Sequence, residues 1–230
     1  MVSAIIVAGG KGGRMSCPVR KQYRSLGTRP ILGHTLLPFG RCDEVEKIFL
    51  VAPEGDFDFC HKNILSPLGL QDSVTLVPGG AERQDSVHNG LLAIGGKEKN
   101  GIVLIHDGVR PFIRHEQIMA CISGAKEFGA CILGIPAYDT LKHADKSGNI
   151  DKTLKRGAIW LAQTPQAFQY ELIMDAYKTA KDEGYVGTDD ASLVERIGKK
   201  VKIINGSRLN IKITTPEDIQ LAELIMNGEW

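Results

Sequence analysis

Glycines at 9, 10, 12 and 13 follow the apolar run Ile5 to Ala8 directly, with Lys11 among them, Arg14 next and Lys21 seven residues further on. Glycine lets a backbone turn with positive φ and approach a ligand closely, and Arg14 and Lys21 add fixed cations at the same place. The spacing is not GxGxxG, and no GK[ST] follows, so neither a dinucleotide fingerprint nor a Walker loop is present. A glycine cluster alone marks only a turn. Paired with cations at the end of a first strand, where open α/β sheets take their ligands, it points to a phosphate-rich molecule held by Ala8, Gly9, Gly10 and Gly12, with Arg14 and Lys21 supplying charge.

Three further stretches offer chemistry. In PGGAERQDSV at 78–87, Gly79 and Gly80 permit flat backbone contact with a planar base, and Ser86 brings a hydroxyl; Asp85 and Ser86 also suit a helix start. Asp107 directly follows an apolar strand, where a carboxylate can bind a divalent cation or orient a phosphate-bound metal. Its neighbour His106 would need further histidines at helical spacing to make a metal phosphohydrolase, and the six histidines are scattered, so it reads as structural. Finally, Leu209 to Ile213 alternates apolar and polar residues, so a strand there would turn Lys212 away from the isoleucines, either to solvent or into the same cleft. Cys17, inside the opening loop, reads as a packing residue rather than a nucleophile.

The elements that must carry these groups alternate. Strands are expected at 47–52, 74–77, 102–106, 130–135, 158–163, 201–204 and 209–213, besides the opening one. Helices are expected at 30–39, 56–65, 85–94, 116–128, 170–183, 189–197 behind Thr188 as N-cap, and from Pro216 to about 226. Apolar strands alternating with helices require an α/β fold, a mostly parallel sheet covered on both faces. TPQ at 164–166 reads as a turn. Residues 139–143 and 150–154, around the turn 146–149, read as a protruding β-hairpin arm; such a ribbon is marginal alone, so a second subunit is its expected partner. The whole chain, 1–230, is then one domain with a dimerisation arm at about 137–158.

Composition narrows the class. With 230 residues, 43% hydrophobic and 24% charged, the chain can bury one sizeable core. A net charge of +1 argues against bulk nucleic acid or an anionic membrane as partner, and no apolar run is long enough to span a bilayer. Five cysteines with no CxxC pair fit reduced thiols, and no leader-like region precedes the first strand, so the cytoplasm is the expected compartment.

Taken together, AGGKGGRM with Lys21 and Gln22, PGGAERQDSV, HDGVRPF, the pair Asp139 and Thr140, TPQAF, GTDDASLVE and NIKITTPED resemble the 2-C-methyl-D-erythritol 4-phosphate cytidylyltransferases of the non-mevalonate isoprenoid pathway, in the same order from about residue 3 to 226. The resemblance implies a Rossmann-like nucleotidyltransferase fold and a homodimer exchanging the β-arm. It implies an enzyme that makes 4-diphosphocytidyl-2-C-methyl-D-erythritol and pyrophosphate from CTP and the sugar-alcohol phosphate, with Mg2+. It assigns Arg14 and Lys21 to the transition state and Arg156 and Lys212 to the second substrate. Thr140 and Arg156 would come from the partner's arm, Asp107 would lie near metal and substrate, and Gly80, Ala81 and Ser86 would hold the cytosine. The AGG form at 8–10 and Val109 lean toward the related ribitol-5-phosphate cytidylyltransferases, while GTDDASLVE and the hairpin favour methylerythritol phosphate. A non-catalytic nucleotide-binding module on the same fold remains a third reading.

Overall fold

The first strand, β1 (Val2–Val7), lies inside a seven-stranded sheet of the computed structural model, which describes residues 1–10, 19–95 and 100–228. The short pair β2 (Ser25–Leu26) and β3 (Arg29–Pro30) precedes α1 (Ile31–Gly40), and β4 (Lys47–Ala52) follows. A helical stretch then runs through α2 (Phe57–Cys60), a π-turn (His61–Leu65) and α3 (Ser66–Leu68) to β5 (Val74–Pro78). Next come α4 (Arg83–Ile94), β6 (Ile102–Asp107), α5 (His115–Phe128) and β7 (Ala130–Pro136), then the hairpin β8 (Lys142–Ala144) and β9 (Ile150–Thr153). The chain returns as β10 (Trp160–Gln169), α6 (Tyr170–Asp182), α7 (Asp190–Arg196), β11 (Lys202–Asn205) and α8 (Pro216–Asn227).

The sheet order is β11-β7-β10-β6-β1-β4-β5. β1 pairs in parallel with β4 and β6, β4 with β5, and β7 with β11; β10 is antiparallel to both β6 and β7. The expected mostly parallel α/β sheet is therefore present, with one reversed strand. From β1 the chain first steps outward through β4 and β5, then crosses back to β6 on the other side. That reversal opens a crevice at the carboxyl ends of the strands.

Alternation along the strands divides the apolar residues between two faces. Ala4, Ile6, Leu50 and Leu104 pack with Leu36 and Phe39 of α1, Leu65 and Ile118; Ile5, Val51, Val103 and Ile105 pack with Val87 and Leu91 of α4 and with Ile173 of α6. Both sets are fully or nearly fully buried, which is why the central strands are apolar throughout. A smaller cluster of Leu26, Ile31, Val109, Ile213 and Ile219 seats α8 beside the crevice.

Four expectations are corrected. TPQ is not a turn: β10 runs through it, and the register shifts between Gln163 and Gln166, where a residue without an N–H is tolerated in a strand. Residues 209–213 form no strand; Asn210 is fully buried rather than solvent-facing, and the segment is fastened by Ile213 N to Val109 O at 2.9 Å. The α7 N-cap is Asp189, whose side chain accepts from Ser192 N, and not Thr188. The arm strands are shorter than expected, although Leu154 N still bonds Leu141 O at 2.9 Å, and Asp145 Oδ1 fastens the turn by accepting from Ser147 N and Asn149 N. Cys42, Cys60, Cys121 and Cys131 are buried free thiols, as reduced cysteines should be; Cys17 lies outside the described residues.

Candidate active site

Three strand ends converge on one cleft of about 420 Å3, lined by Val7 to Gly10, Lys21, Gln22, Gly80 to Arg83, Ser86, Asp107, Val109 and Lys212. Ala8, Gly9, Gly10, Lys21, Gly80, Ala81, Ser86, Asp107 and Lys212, expected from sequence, are thus brought together. Arg14 and Gly12 lie outside the described residues. Thr140 and Arg156 are not among the lining residues; Arg156 sits at the base of the arm, exposed, with Nη1 donating to the carbonyl of Tyr138. A larger cleft of about 680 Å3, lined by Met1, Asp43, Glu44, Glu46 and Glu171 among others, lies at the opposite ends of the strands and includes none of the expected residues.

The glycines serve contact between loops. A Cβ on Gly9 would stand 3.2 Å from Ser86 Oγ and 3.6 Å from Gly79 Cα, so the loops after β1 and β5 touch across the end of β4. A Cβ on Gly80 would fall 2.2 Å from Asp85 Cβ. The Ser86 hydroxyl accepts from Gly80 N at 3.0 Å and donates to the Glu82 carbonyl at 3.1 Å, which folds residues 80–82 over the start of α4. A capping box between Glu82 and Asp85 completes that turn.

Lys21 stands in a short 3-10 turn, Lys21–Tyr23, gripped from both sides. Gln22, buried, donates to the Ala8 carbonyl at 2.7 Å, while Arg20 and the Tyr23 hydroxyl both meet Asp56, at 2.9 and 3.0 Å.

Asp107 is the electrostatic hub. Its Oδ1 meets Arg83 Nε at 3.2 Å, and its Oδ2 meets Lys212 Nζ at 2.9 Å and Arg110 Nε at 3.4 Å. Burial raises the carboxyl's pKa, but Arg83, Lys212 and Arg110 outweigh it and hold Asp107 well below the usual carboxylate range. Beneath the hub, Asp107 N–H donates to Thr164 Oγ1, whose hydroxyl faces His106 Nδ1 at 2.9 Å, while His106 Nε2 faces the Arg110 carbonyl at 3.1 Å. A neutral imidazole carrying its proton on Nε2 satisfies every member of that chain, and burial lowers the His106 pKa to about 4. His106 is fully buried and is not among the residues that line the cleft.

Among the described residues no three His, Cys, Asp or Glu side chains gather as a metal set. Asp107, the expected metal ligand, already has its charge balanced by three cations.

Arg83, Arg110 and Asp190 were not singled out from sequence. Arg83 Nη2 meets Asp190 Oδ2 at 2.8 Å, and Arg110 Nη1 donates to the Asn210 carbonyl at 2.7 Å. These partners are 107 and 100 residues apart, so only the presence of their motifs could have marked them.

The family model described as 2-C-methyl-D-erythritol 4-phosphate cytidylyltransferase matches residues 2–228. Proteins of that name from Syntrophus aciditrophicus and Pelotomaculum thermopropionicum are 48% and 44% identical, covering 99% of this chain in both cases and 97% and 94% of their own length. The crystal structure of 4-diphosphocytidyl-2C-methyl-D-erythritol synthase from Anaerococcus prevotii is similar with a TM-score of 0.87 at 35% identity, over 98% of this chain and 96% of that one. The chain belongs to the 2-C-methyl-D-erythritol 4-phosphate cytidylyltransferase family.

Proposed function

We propose that the protein joins CTP and 2-C-methyl-D-erythritol 4-phosphate, giving 4-diphosphocytidyl-2-C-methyl-D-erythritol and pyrophosphate. An oxygen of the phosphate monoester attacks the α-phosphorus of CTP, a new P–O bond forms, and the bond from that phosphorus to the β-phosphate oxygen breaks as pyrophosphate leaves. Two anions are forced together, so fixed cations rather than a covalent nucleophile carry the catalysis. The observation that supports this most directly is the cleft in which Lys21 and the Asp107-held Lys212 face the glycine loops after β1 and β5.

In this reading Ala8, Gly9, Gly10 and Gly12 bind the triphosphate, and Arg14 and Lys21 stabilise charge at the α-phosphorus. Gly80, Ala81 and Ser86 hold the cytosine, the serine by fixing the turn its hydroxyl spans. Lys212 and Asp107 position the second substrate, with Arg156 and Thr140 supplied by the arm of a second copy. Mg2+ would supply neutralisation of phosphate charge when bound, with Asp107 the carboxylate nearest to it. The exposed Tyr138, Ile150, Trp160 and Leu161, on and beside the arm, suit burial in a homodimer. The reading takes the enzyme to be cytoplasmic, with neither membrane nor nucleic acid as partner; among the described residues no helix is long and apolar enough to cross a membrane.

Pyrophosphate release from CTP with methylerythritol phosphate and with ribitol 5-phosphate, side by side, tests the reading. Turnover with the former is expected. Turnover with ribitol phosphate alone overturns the substrate, and release with neither overturns the activity.

A further inference from the structure

Helix α7 adds no side chain to the lining of the cleft, yet its first residue is wired to it. Asp190, 1% exposed, accepts from the Tyr177 hydroxyl at 2.6 Å through Oδ1 and from Arg83 Nη2 at 2.8 Å through Oδ2. Arg83 reaches onward through Nε to Asp107 Oδ1 at 3.2 Å, and the other oxygen of Asp107 takes Lys212 Nζ at 2.9 Å. Charges thus alternate from Asp190 through Arg83 and Asp107 to Lys212, from the interior to the cleft.

The inner end of this line is rigid. Gln166 of β10 donates to Asp189 Oδ2 at 2.7 Å and accepts from Ala191 N at 3.0 Å, holding the residues on both sides of Asp190. Gln84, next to Arg83, accepts from Gly187 N at 2.9 Å and donates to the Tyr185 carbonyl at 3.1 Å, closing the same seam. A guanidinium spanning two carboxylates is fixed in plane and rotamer, which a point-charge ammonium could not achieve. With Arg83 on its Oδ1, the Asp107 carboxylate presents Oδ2 to Lys212. Without Arg83, Asp107 would keep Lys212 and Arg110, both on Oδ2, with nothing on Oδ1, and Asp190 would lose the only ion-pair partner it has among the described residues.

We propose that Arg83 is a positioning residue for the second substrate: anchored on Asp190, it fixes the carboxylate that holds Lys212 in the cleft. GTDDASLVE then acts on the transfer from behind the site. The inference rests on the reading of Lys212 as the residue that positions the sugar-alcohol phosphate.

Its test is steady-state kinetics with CTP and methylerythritol phosphate, together with thermal melting, on the parent protein and on Arg83→Gln, Arg83→Lys, Asp190→Asn, Lys212→Gln and the double variant Arg83→Gln/Lys212→Gln. Arg83→Gln is expected to raise KM for the sugar-alcohol phosphate about tenfold, the equivalent of one charge-assisted contact, and KM for CTP less than about twofold. Arg83→Lys should recover part of that loss, and Asp190→Asn should shift the same KM in the same direction. In the Lys212→Gln background, Arg83→Gln should add less than about twofold, because the residue it acts through is already gone. The full tenfold loss in that background overturns the inference, as does an equal rise in KM for CTP. Melting lowered by Asp190→Asn or Arg83→Lys with both KM values unchanged also overturns it, and these two milder variants decide the matter if Arg83→Gln does not fold. A folded but inactive parent instead overturns the underlying function and the inference with it.

Discussion

Gln22 Nε2 donates to the Ala8 carbonyl at 2.7 Å, and this bond ties the turn that carries Lys21 to the end of β1. Gln22 is buried, so Gln22→Leu would strand a carbonyl away from water at a cost of about 1–3 kcal/mol. Urea unfolding should register that loss. Turnover should fall as well, by up to about a hundredfold, because a displacement near 1 Å at a catalytic cation is enough for that. Unchanged turnover at reduced stability would show that Lys21 is placed independently of Gln22.

Lys21→Ala and Arg14→Ala should each keep the fold and lose about a hundred to a thousandfold in turnover, the usual cost of one charge donor at a developing oxyanion. Circular dichroism establishes the first half of the statement and pyrophosphate release the second. Near-normal turnover in either variant would remove that residue from the proposed mechanism.

Gly80→Ala places a methyl 2.2 Å from Asp85 Cβ and 3.0 Å from the Asp85 carbonyl carbon, one of them backbone, so the turn 79–82 must shift. Overpacking of this kind costs about 1–3 kcal/mol. If that turn holds the cytosine, KM for CTP should rise while KM for the sugar-alcohol phosphate stays near its parent value. Equal rises in both would place Gly80 outside nucleotide recognition.

Acid should destabilise the protein in a window set by His106. In the unfolded chain an imidazole takes its proton near 6.5, whereas the folded protein resists protonation down to about 4. Between those values the unfolded state binds more protons, so stability falls as pH drops, by on the order of 3 kcal/mol from this one residue. The depressed Asp107 acts in a different window: its contribution is present above the ordinary carboxylate range and lost only below it. Urea unfolding from pH 7 to 4.5 should therefore show a slope that His106→Gln reduces. The lowered His88 contributes to both proteins and cancels in the difference. Identical slopes would mean that His106 takes its proton in the fold at the same pH as in the unfolded chain.

Much of this was legible in the sequence where the cause is local. β4 appeared with its observed bounds because five apolar residues, Ile48 to Ala52, run up to Pro53 behind Lys47, and each of the five is buried. The three strand ends were legible because glycine clusters and a carboxylate directly follow apolar runs. Lys212 was found for the wrong reason: alternation suggested a strand, but the residue is delivered by an irregular segment pinned to Val109 and Arg110. Arg83 carried no local mark at all, since an arginine at the start of a helix is ordinary until Asp107 and Asp190 arrive from elsewhere in the chain.

The arm makes the sharpest claim about assembly. Thr140 and Arg156 do not line the cleft of their own chain, and Ile150 and Leu161 are 62% and 50% exposed. If each arm completes its neighbour's site, Lys21→Ala and Arg156→Ala proteins, both nearly inactive alone, should regain activity when mixed and allowed to exchange subunits. Half of a random mixture is heterodimer, and in each heterodimer one of two symmetric sites gathers both defects while the other is intact, so about a quarter of parental activity should return. Ile150→Asp should lower the dimer fraction in sedimentation and abolish that recovery. Mixtures no more active than their components would put Arg156 in its own subunit's site or outside catalysis, because only a shared site lets one intact half rescue the other.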